Sequence, residues 1–394
     1  MNSENRDKAE ELSFELSEDQ RMIRESVREF VSRHVAPAVL ERDKNKRFPE
    51  KLIRLAAEQN LLGIYHDEEY GGAGFDTVSF CLAIEEIARW DASLALTIAS
   101  HTSLAAGHIA HAGSEKQKKK FLTPLAKGEI LGGWCLTEPG SGSDSSGLKT
   151  TAKKVDNGWI LNGTKVFITQ GSVAGIYVVL AKTDAEKGTK GISAFIVERD
   201  RKGVRAGKPI DKLGMNSSDT AEVIFEEVSL PDENLLGERN RGFYDTMSML
   251  DGGRIGIGAL SVGIARGALE ESLKYSRERK QFGKAIGDFQ AIEHKLADMA
   301  TRLDAARLMV HRAAWLRDRG KPHTLEASMC KLFASELAVR ASEEAVQIHG
   351  GYGYTKEYHV ERFLRDSKLM TIGEGTSEIQ RMIIGRELKK RFEP

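Results

Sequence analysis

Trp159-Ile-Leu-Asn-Gly-Thr-Lys-Val-Phe-Ile-Thr169 is the stretch at which the chain changes its period. β-branched and aromatic residues flank Asn162-Gly163, a dipeptide that favours tight hairpin turns. The spacing therefore predicts two short strands about that turn. Ile176–Lys182, Ile192–Glu198 and Ala221–Val228 repeat the composition, with turn residues between them. Together they predict a β domain of roughly a hundred residues.

On both sides of this region the pattern is helical. Pro139, Pro209 and Pro231 lie in residues 125–231, whereas from 232 to 393 there is only Pro322. Long proline-free stretches favour long helices. Upstream, Ser17-Glu-Asp-Gln20 reads as a capping box, with Ile23, Val27, Phe30 and Val31 at helical spacing behind it. Further helices are predicted from about Pro49 to Leu61, over Val78–Ala88 and Ser93–His111, and from Ser114 onward, with Gly71-Gly72-Ala-Gly74 as a loop. Downstream the candidates are Phe243–Leu250, Arg254–Arg279, Phe289–Asp318, Thr324–Gly350 and Ser377–Arg391. The expected architecture is α+β and multidomain: an N-terminal all-α domain over 1–128, a small β barrel or sandwich over 129–236, and a helical bundle over 237–394.

Composition removes several function classes. The 394 residues carry 58 Lys+Arg against 58 Asp+Glu, a formal net charge of zero, so nothing favours nucleic acid or an anionic membrane. Lys118-Lys119-Lys120 reads as a solvated helix face. Cys81, Cys135 and Cys330 are widely spaced and form no C-x-x-C, which fits neither a disulfide framework nor a zinc site and suits a reducing cytoplasm. His101, His108 and His111 have no nearby carboxylate to complete a metal set. The stretch from Met1 to Asp19 is polar and acidic, which predicts neither a secretory leader nor a transit peptide. The longest apolar run, Ile255 to Ala265, falls short of a membrane span and reads as a tightly packed internal helix.

Three glycine-rich segments stand out. Trp134-Cys-Leu-Thr-Glu-Pro-Gly-Ser-Gly-Ser-Asp-Ser-Ser-Gly147 offers backbone amides and the hydroxyls of Thr137, Ser141 and Ser143 to a ligand, although turns are rich in the same residues. Gln347-Ile-His-Gly-Gly-Tyr-Gly-Tyr354 ends a long helix, so Gly350 and Gly351 also read as C-caps. Thr371-Ile-Gly-Glu-Gly-Thr-Ser377 isolates Glu374 between two glycines, where a carboxylate can face a cavity as a general base. It equally reads as a helix start, with Ser377-x-x-Gln380 as a capping box. Arg277-Glu-Arg-Lys-Gln-Phe-Gly-Lys284 is either a diphosphate clamp or an exposed helix end.

Taken together, Cys135-Leu-Thr-Glu-Pro-Gly-Ser-Gly-Ser-Asp144, Gln347-x-x-Gly-Gly-x-Gly-Tyr354 with Glu357, Arg362 and Asp366 behind it, and Gly373-Glu-Gly-Thr-Ser-Glu-Ile-Gln-Arg381 resemble the signature segments of the acyl-CoA dehydrogenases. The resemblance runs from about Leu16 to Leu388. It implies that family's fold, with a four-helix bundle at the C-terminus, and FAD as cofactor. By the same resemblance Trp134, Leu136, Thr137, Gly142 and Ser143 line the flavin, and Phe167, Ile168 and Thr169 form the strand whose threonine approaches flavin N5. Arg279, Phe282 and Gln290 would hold FAD, with the arginine near its diphosphate. Gln347, Gly350 and Gly351 would reach the cofactor of a neighbouring subunit, and Thr376 and Ser377 would meet FAD beside Glu374. Ser143, Asp251, Arg254 and Gly375 match acyl-CoA contacts.

Glu374 stands at the position of the family's base. The implied reaction is α,β-dehydrogenation of a short- to medium-chain acyl-CoA, with electrons passed to electron-transfer flavoprotein from a homotetramer. Some relatives carry the base where this chain has Gly253, which cannot act as one. Leu250-Asp-Gly-Gly-Arg-Ile-Gly-Ile257 resembles members acting on short straight chains, while Gly373 replaces a tyrosine common among them. Rival readings are an O₂-using oxidase or monooxygenase on the same fold, a non-catalytic DNA-binding relative, and a purely structural helical protein. Zero net charge weighs against the second, and the third leaves the glycine-rich motifs without a reason.

Overall fold

The computed structural model describes residues 14–392. Most of the polar N-terminal stretch therefore lies outside the described residues. The middle of the chain forms strands β1 (Gly132–Cys135), β2 (Thr151–Val155), β3 (Gly158–Thr169), β4 (Ile176–Lys182), β5 (Ile192–Glu198), β6 (Val204–Ala206), β7 (Thr220–Leu230) and β8 (Leu235–Leu236). They run in the order β6-β7-β3-β2-β4-β5-β8, with β1 parallel to β4. One residue pair, Thr151 with Lys182, joins the β2 and β4 halves. The halves face each other across Trp159, Leu161, Val223 and Phe225 on one side and Tyr177, Val179, Phe195 and Val197 on the other.

β3 corrects one expectation. It continues through Asn162-Gly163 instead of turning there, and the hairpin lies at Asp156-Asn157, between β2 and β3. Gly163 serves close approach instead: a Cβ there would lie 2.3 Å from Thr150 Oγ1. β3 breaks register with β7 twice, between Leu161 and Gly163 and between Lys165 and Ile168. The second bulge puts Phe167 at φ 58° and turns its ring outward, 65% exposed.

β4 and β5 are buried on both faces. Their outer residues Val178, Leu180, Ala194 and Ile196 pack on Ile109, Phe121, Leu122 and Leu125 of the N-terminal helices. Ser17 caps the Glu18–Phe30 helix through a reciprocal pair of hydrogen bonds with Gln20. The predicted 93–111 helix appears as Ala92–Ser100, a π-helical stretch His101–Ala106 and Gly107–Ala112 in unbroken succession. π-Helical turns often sit at functional positions. His101 and His108 act as joints there. His101 Nδ1 accepts from the Gly132 N–H, and His108 Nδ1 accepts from Trp134 Nε1. Burial lowers their pKa values to about 4 and about 3, so both imidazoles are neutral acceptors.

The C-terminal region holds three long helices, Gly242–Glu278, Gln290–Asp318 and Thr324–His349, and two shorter ones, Val360–Met370 and Ser377–Phe392. The predicted break near 251–253 is absent. Gly252 and Gly253 stay helical because packing overrides their poor propensity. Close approach requires small residues here: a Cβ at Gly263 would lie 2.6 Å from Ala88 Cβ. Val360–Met370 was not anticipated from the sequence. It carries the buried Arg362–Asp366 pair; Arg362 donates to the Trp90 carbonyl, and Asp366 accepts from the Met215 N–H. These two residues of the 347–366 signature pin the C-terminal helices to the rest of the chain.

Candidate active site

Glu374 occupies a strained turn. Its φ is 54°, a left-handed conformation that side-chain-bearing residues rarely adopt, and Gly375 follows at 94°. The Ser377 N–H donates to the Thr371 carbonyl and closes the loop. Thr376, not Ser377, caps the following helix: its Oγ1 accepts from the Ile379 N–H, while Ser377 Oγ is buried without a partner among the described residues. Gln380 does not complete a capping box either. Its Nε2 donates to the Glu374 and Gly375 carbonyls at 3.2 and 2.9 Å.

The turn aims the Glu374 side chain at the Gly242–Glu278 helix. A Cβ on Gly253 would lie 1.9 Å from Glu374 Oε2 and 3.1 Å from Leu104 Cδ2. The space that glycine leaves is thus filled by the carboxylate. The residue as a whole is half-buried, but Oε2 is shut off from water and has no hydrogen-bond partner among the described residues. Burial raises its pKa to about 7, against the opposing pull of Arg254 and Lys331. A carboxyl that titrates near neutrality and points into an unfilled polar contact is suited to moving a proton. The Glu374 N–H donates to no backbone carbonyl or side chain among the described residues, so it remains free for a ligand oxygen.

Arg254 is buried and pairs with Asp251 at 2.6 Å, and Asp251 also accepts from Thr324 Oγ1. These two expected acyl-CoA contacts are therefore engaged with each other beside Glu374. A half-open cleft of about 320 Å³ lies alongside, lined by Tyr65, Ser103, Met249, Gly252, Arg317 and His323 among others. Arg317 Nη1 is buried there without a hydrogen-bond partner among the described residues.

The flavin-loop expectations assemble as a second group. Val166 N–H donates to the Thr137 carbonyl, and Lys165 Nζ reaches the Leu136 carbonyl at 3.1 Å, so β3 carries the loop after β1. Gly142 and Ser143 are exposed, and Gly140 and Gly142 look onto open space. Trp134 and Thr169 are half-buried, while the Leu136 and Ile168 side chains pack into hydrophobic cores. Ile168 can meet a ligand only through its backbone. Beneath the loop lies a pair that motif reading missed. Lys165 is fully buried and bonds to Glu138 Oε1 at 2.8 Å, and Glu138 also accepts from Thr150 N–H and Oγ1. Lysine and glutamate within a predicted strand and loop carried no signal that they would meet.

A third group gathers at the other end of the long helices. Lys280–Gln281 and Lys284–Ala285 form a hairpin whose turn holds Phe282 and Gly283, both at positive φ. Phe282 is 94% exposed. Its ring meets Phe289, just before Gln290. Arg279 lies over the Tyr352 ring, beside the Gln347, Gly350 and Gly351 segment. No hydrogen bond joins this group to the 134–143 loop among the described residues.

Three family profiles match in tandem: acyl-CoA dehydrogenase N-terminal domain over residues 17–129, middle domain over 133–228 and C-terminal domain over 240–389. The short-chain specific acyl-CoA dehydrogenase of Clostridium acetobutylicum is 44% identical over 96% of this chain and 100% of its own length. A subunit of the caffeyl-CoA reductase–Etf complex of Acetobacterium woodii is 45% identical over 95% of this chain and 99% of its own. The solved structure of butyryl-CoA dehydrogenase from Megasphaera elsdenii superposes with a TM-score of 0.95 at 45% identity, covering 96% of this chain and 100% of that one.

Proposed function

Because the chain belongs to the acyl-CoA dehydrogenase family of FAD-dependent oxidoreductases acting on acyl-CoA, we propose that it desaturates a short- to medium-chain acyl-CoA to the trans-2-enoyl-CoA with Glu374 as the base. The observation that carries this reading is the Glu374 carboxyl, held against Gly253 with Oε2 unpartnered and its pKa raised to about 7.

The residues present fit FAD. The open faces of Gly140 and Gly142 let a ligand approach the loop backbone, and the outward ring of Phe167 offers an apolar surface beside it. Trp134, Leu136, Thr137, Gly142, Ser143 and the 167–169 strand would hold it from one chain. Arg279, Phe282, Gln290, Gln347, Gly350 and Gly351 sit apart from that loop, which supports their serving a second subunit of a homo-oligomer, a tetramer by family expectation. When bound, FAD supplies the two-electron acceptor for the β-hydride.

The chain's own part is proton removal and polarisation. Glu374 takes the α-proton. Its free N–H is available to the thioester oxygen as enolate character develops, an oxyanion-hole role in which losing one donor costs about 3 kcal/mol. Bound substrate would displace the remaining water and strengthen the base further. The cleft beside Gly252 carries the cationic side chains Arg317 and Lys118 along with Asp67, and the two cations suit the approach of the anionic CoA carrier. Thr376 and Ser377 start the helix that fixes the turn. The Etf-complex relative supports electron-transfer flavoprotein as the acceptor.

The test is turnover of butyryl-, hexanoyl- and octanoyl-CoA with an artificial electron acceptor, by the wild type and by Glu374→Gln. Loss of turnover in yellow, substrate-binding Glu374→Gln is expected; near wild-type rates would sink the assignment. Rapid peroxide formation under turnover would favour the oxidase reading instead.

A further inference from the structure

Lys331 lies beneath the catalytic turn on the Thr324–His349 helix, and its side chain is wholly buried. Its Nζ donates to the Gly375 carbonyl at 2.7 Å. That carbonyl also accepts from Gln380 Nε2, which reaches the Glu374 carbonyl as well. The two side chains therefore grip both peptide carbonyls that follow the left-handed Glu374. Gly375 itself sits at φ 94°, where a side chain is strained, and a Cβ there would lie 2.8 Å from Gln380 Nε2.

A neutral donor would satisfy a carbonyl at far lower desolvation cost than a buried ammonium. Among the described residues, the one side-chain hydrogen bond of Lys331 is to a neutral group, and no salt bridge pairs it. We propose that Lys331 is a positioning residue for Glu374: it fixes the turn that aims the carboxylate, and its charge keeps that carboxylate ionised in the free enzyme. This deepens the dehydrogenase reading and rests on Glu374 being the base.

The electrostatics agree. Glu374 is faced by Arg254 from the Gly242–Glu278 helix, by Lys331 from the Thr324–His349 helix and by Tyr65 from the N-terminal region. Lys331 is faced by Glu374, Arg254, Glu378 and Glu336. Burial lowers the Lys331 pKa to about 8, while Glu374 is raised to about 7. Between these values both groups are charged. Below them Glu374 takes up a proton. Above them Lys331 loses one, and Arg254, which does not titrate there, is already shared with Asp251.

The experiment compares kcat/KM against pH for wild type, Lys331→Gln and Lys331→Met, with butyryl-, hexanoyl- and octanoyl-CoA and an artificial acceptor. Bound flavin is read from absorbance, and Glu374→Gln is the control. Gln keeps a donor to Gly375 without the charge; Met removes both. Lys331→Met should lose kcat by roughly ten- to a hundred-fold, the rate equivalent of one charge-assisted hydrogen bond. Lys331→Gln should lose less. In both variants the acid limb should move to higher pH, because the carboxylate has lost a cation, and the descending limb near 8 should vanish. If Lys331→Met does not accumulate as yellow protein, the limbs of Lys331→Gln decide. Wild-type limbs in the uncharged variants, with Glu374→Gln inactive, would overturn the positioning role alone. An active Glu374→Gln would overturn the base assignment beneath it.

Discussion

Gly253→Ala isolates the placement of the carboxylate from everything else. The new Cβ would lie 1.9 Å from Glu374 Oε2, whereas real Cβ contacts essentially never fall below 3.0 Å. The carboxylate must therefore retreat by about 1 Å. Leu104 Cδ2, 3.1 Å from the same Cβ, blocks the helix from rotating away. A misplacement of about 1 Å can cost roughly a hundred-fold in rate, because the proton acceptor leaves the near-attack geometry. Stability should move little. Alanine gains about 1 kcal/mol over glycine in a helix interior, and overpacking costs about 1–3 kcal/mol. The assay is anaerobic stopped-flow bleaching of the flavin absorbance by acyl-CoA, with thermal melting in parallel. The expected variant is yellow, melts near the wild type and is slow in flavin reduction at saturating substrate. Reduction within about three-fold of wild type would refute the inference that Gly253 makes room for a working carboxylate.

Glu374→Gln should lose about 10²–10⁴-fold in turnover while keeping FAD, the usual span for removing a general base; steady-state assays check this. The Glu374 carboxyl also binds its proton more tightly folded than unfolded, since its pKa is raised to about 7. It therefore costs stability increasingly as pH rises from about 4.5 to about 7 and by a constant amount above that, so Glu374→Gln should melt higher than wild type at pH about 7 and above. Lys165→Met strands the buried Glu138 and should destabilise the protein by about 3–5 kcal/mol, releasing FAD on gel filtration. A neutral Lys165→Met/Glu138→Gln pair should recover part of that loss. Thr169→Ala should slow flavin reduction while leaving the melting temperature within about 1 kcal/mol of wild type, because Thr169 pairs with Thr220 through the backbone; a variant that unfolds would refute that.

Legibility in the sequence follows the range of each interaction. Ser17-x-x-Gln20 and Ser114-x-x-Gln117 announced their helices because both partners of each cap lie within one turn. Ser377-x-x-Gln380 has the same pattern and a different fate, since Gln380 is drawn to the Glu374 and Gly375 carbonyls. Asn162-Gly163 carried a strong turn signal that lost to the pairing of β3 with β2 and β7 on either side. Gly252-Gly253 looked like a helix break and lies inside the longest helix, because its reason lies in Arg317, Leu104 and Glu374, all remote in sequence. Local chemistry was readable; contacts across long separations were not, except where the family resemblance joined the segments.

Those long-range contacts also account for how one carboxylate can be both buried and basic. Withdrawing Glu374 from water raises its pKa and would leave it protonated at neutral pH if nothing opposed the burial. Arg254 opposes it only in part, since Asp251 claims the guanidinium and Thr324 holds Asp251 in turn. Lys331 forms no salt bridge among the described residues and presents its charge from the opposite helix, through the Gly375 carbonyl. The left-handed turn, the two gripping side chains and the vacancy at Gly253 thus serve a single compromise: a base dry enough to be strong and cationic enough in its surroundings to start the reaction ionised.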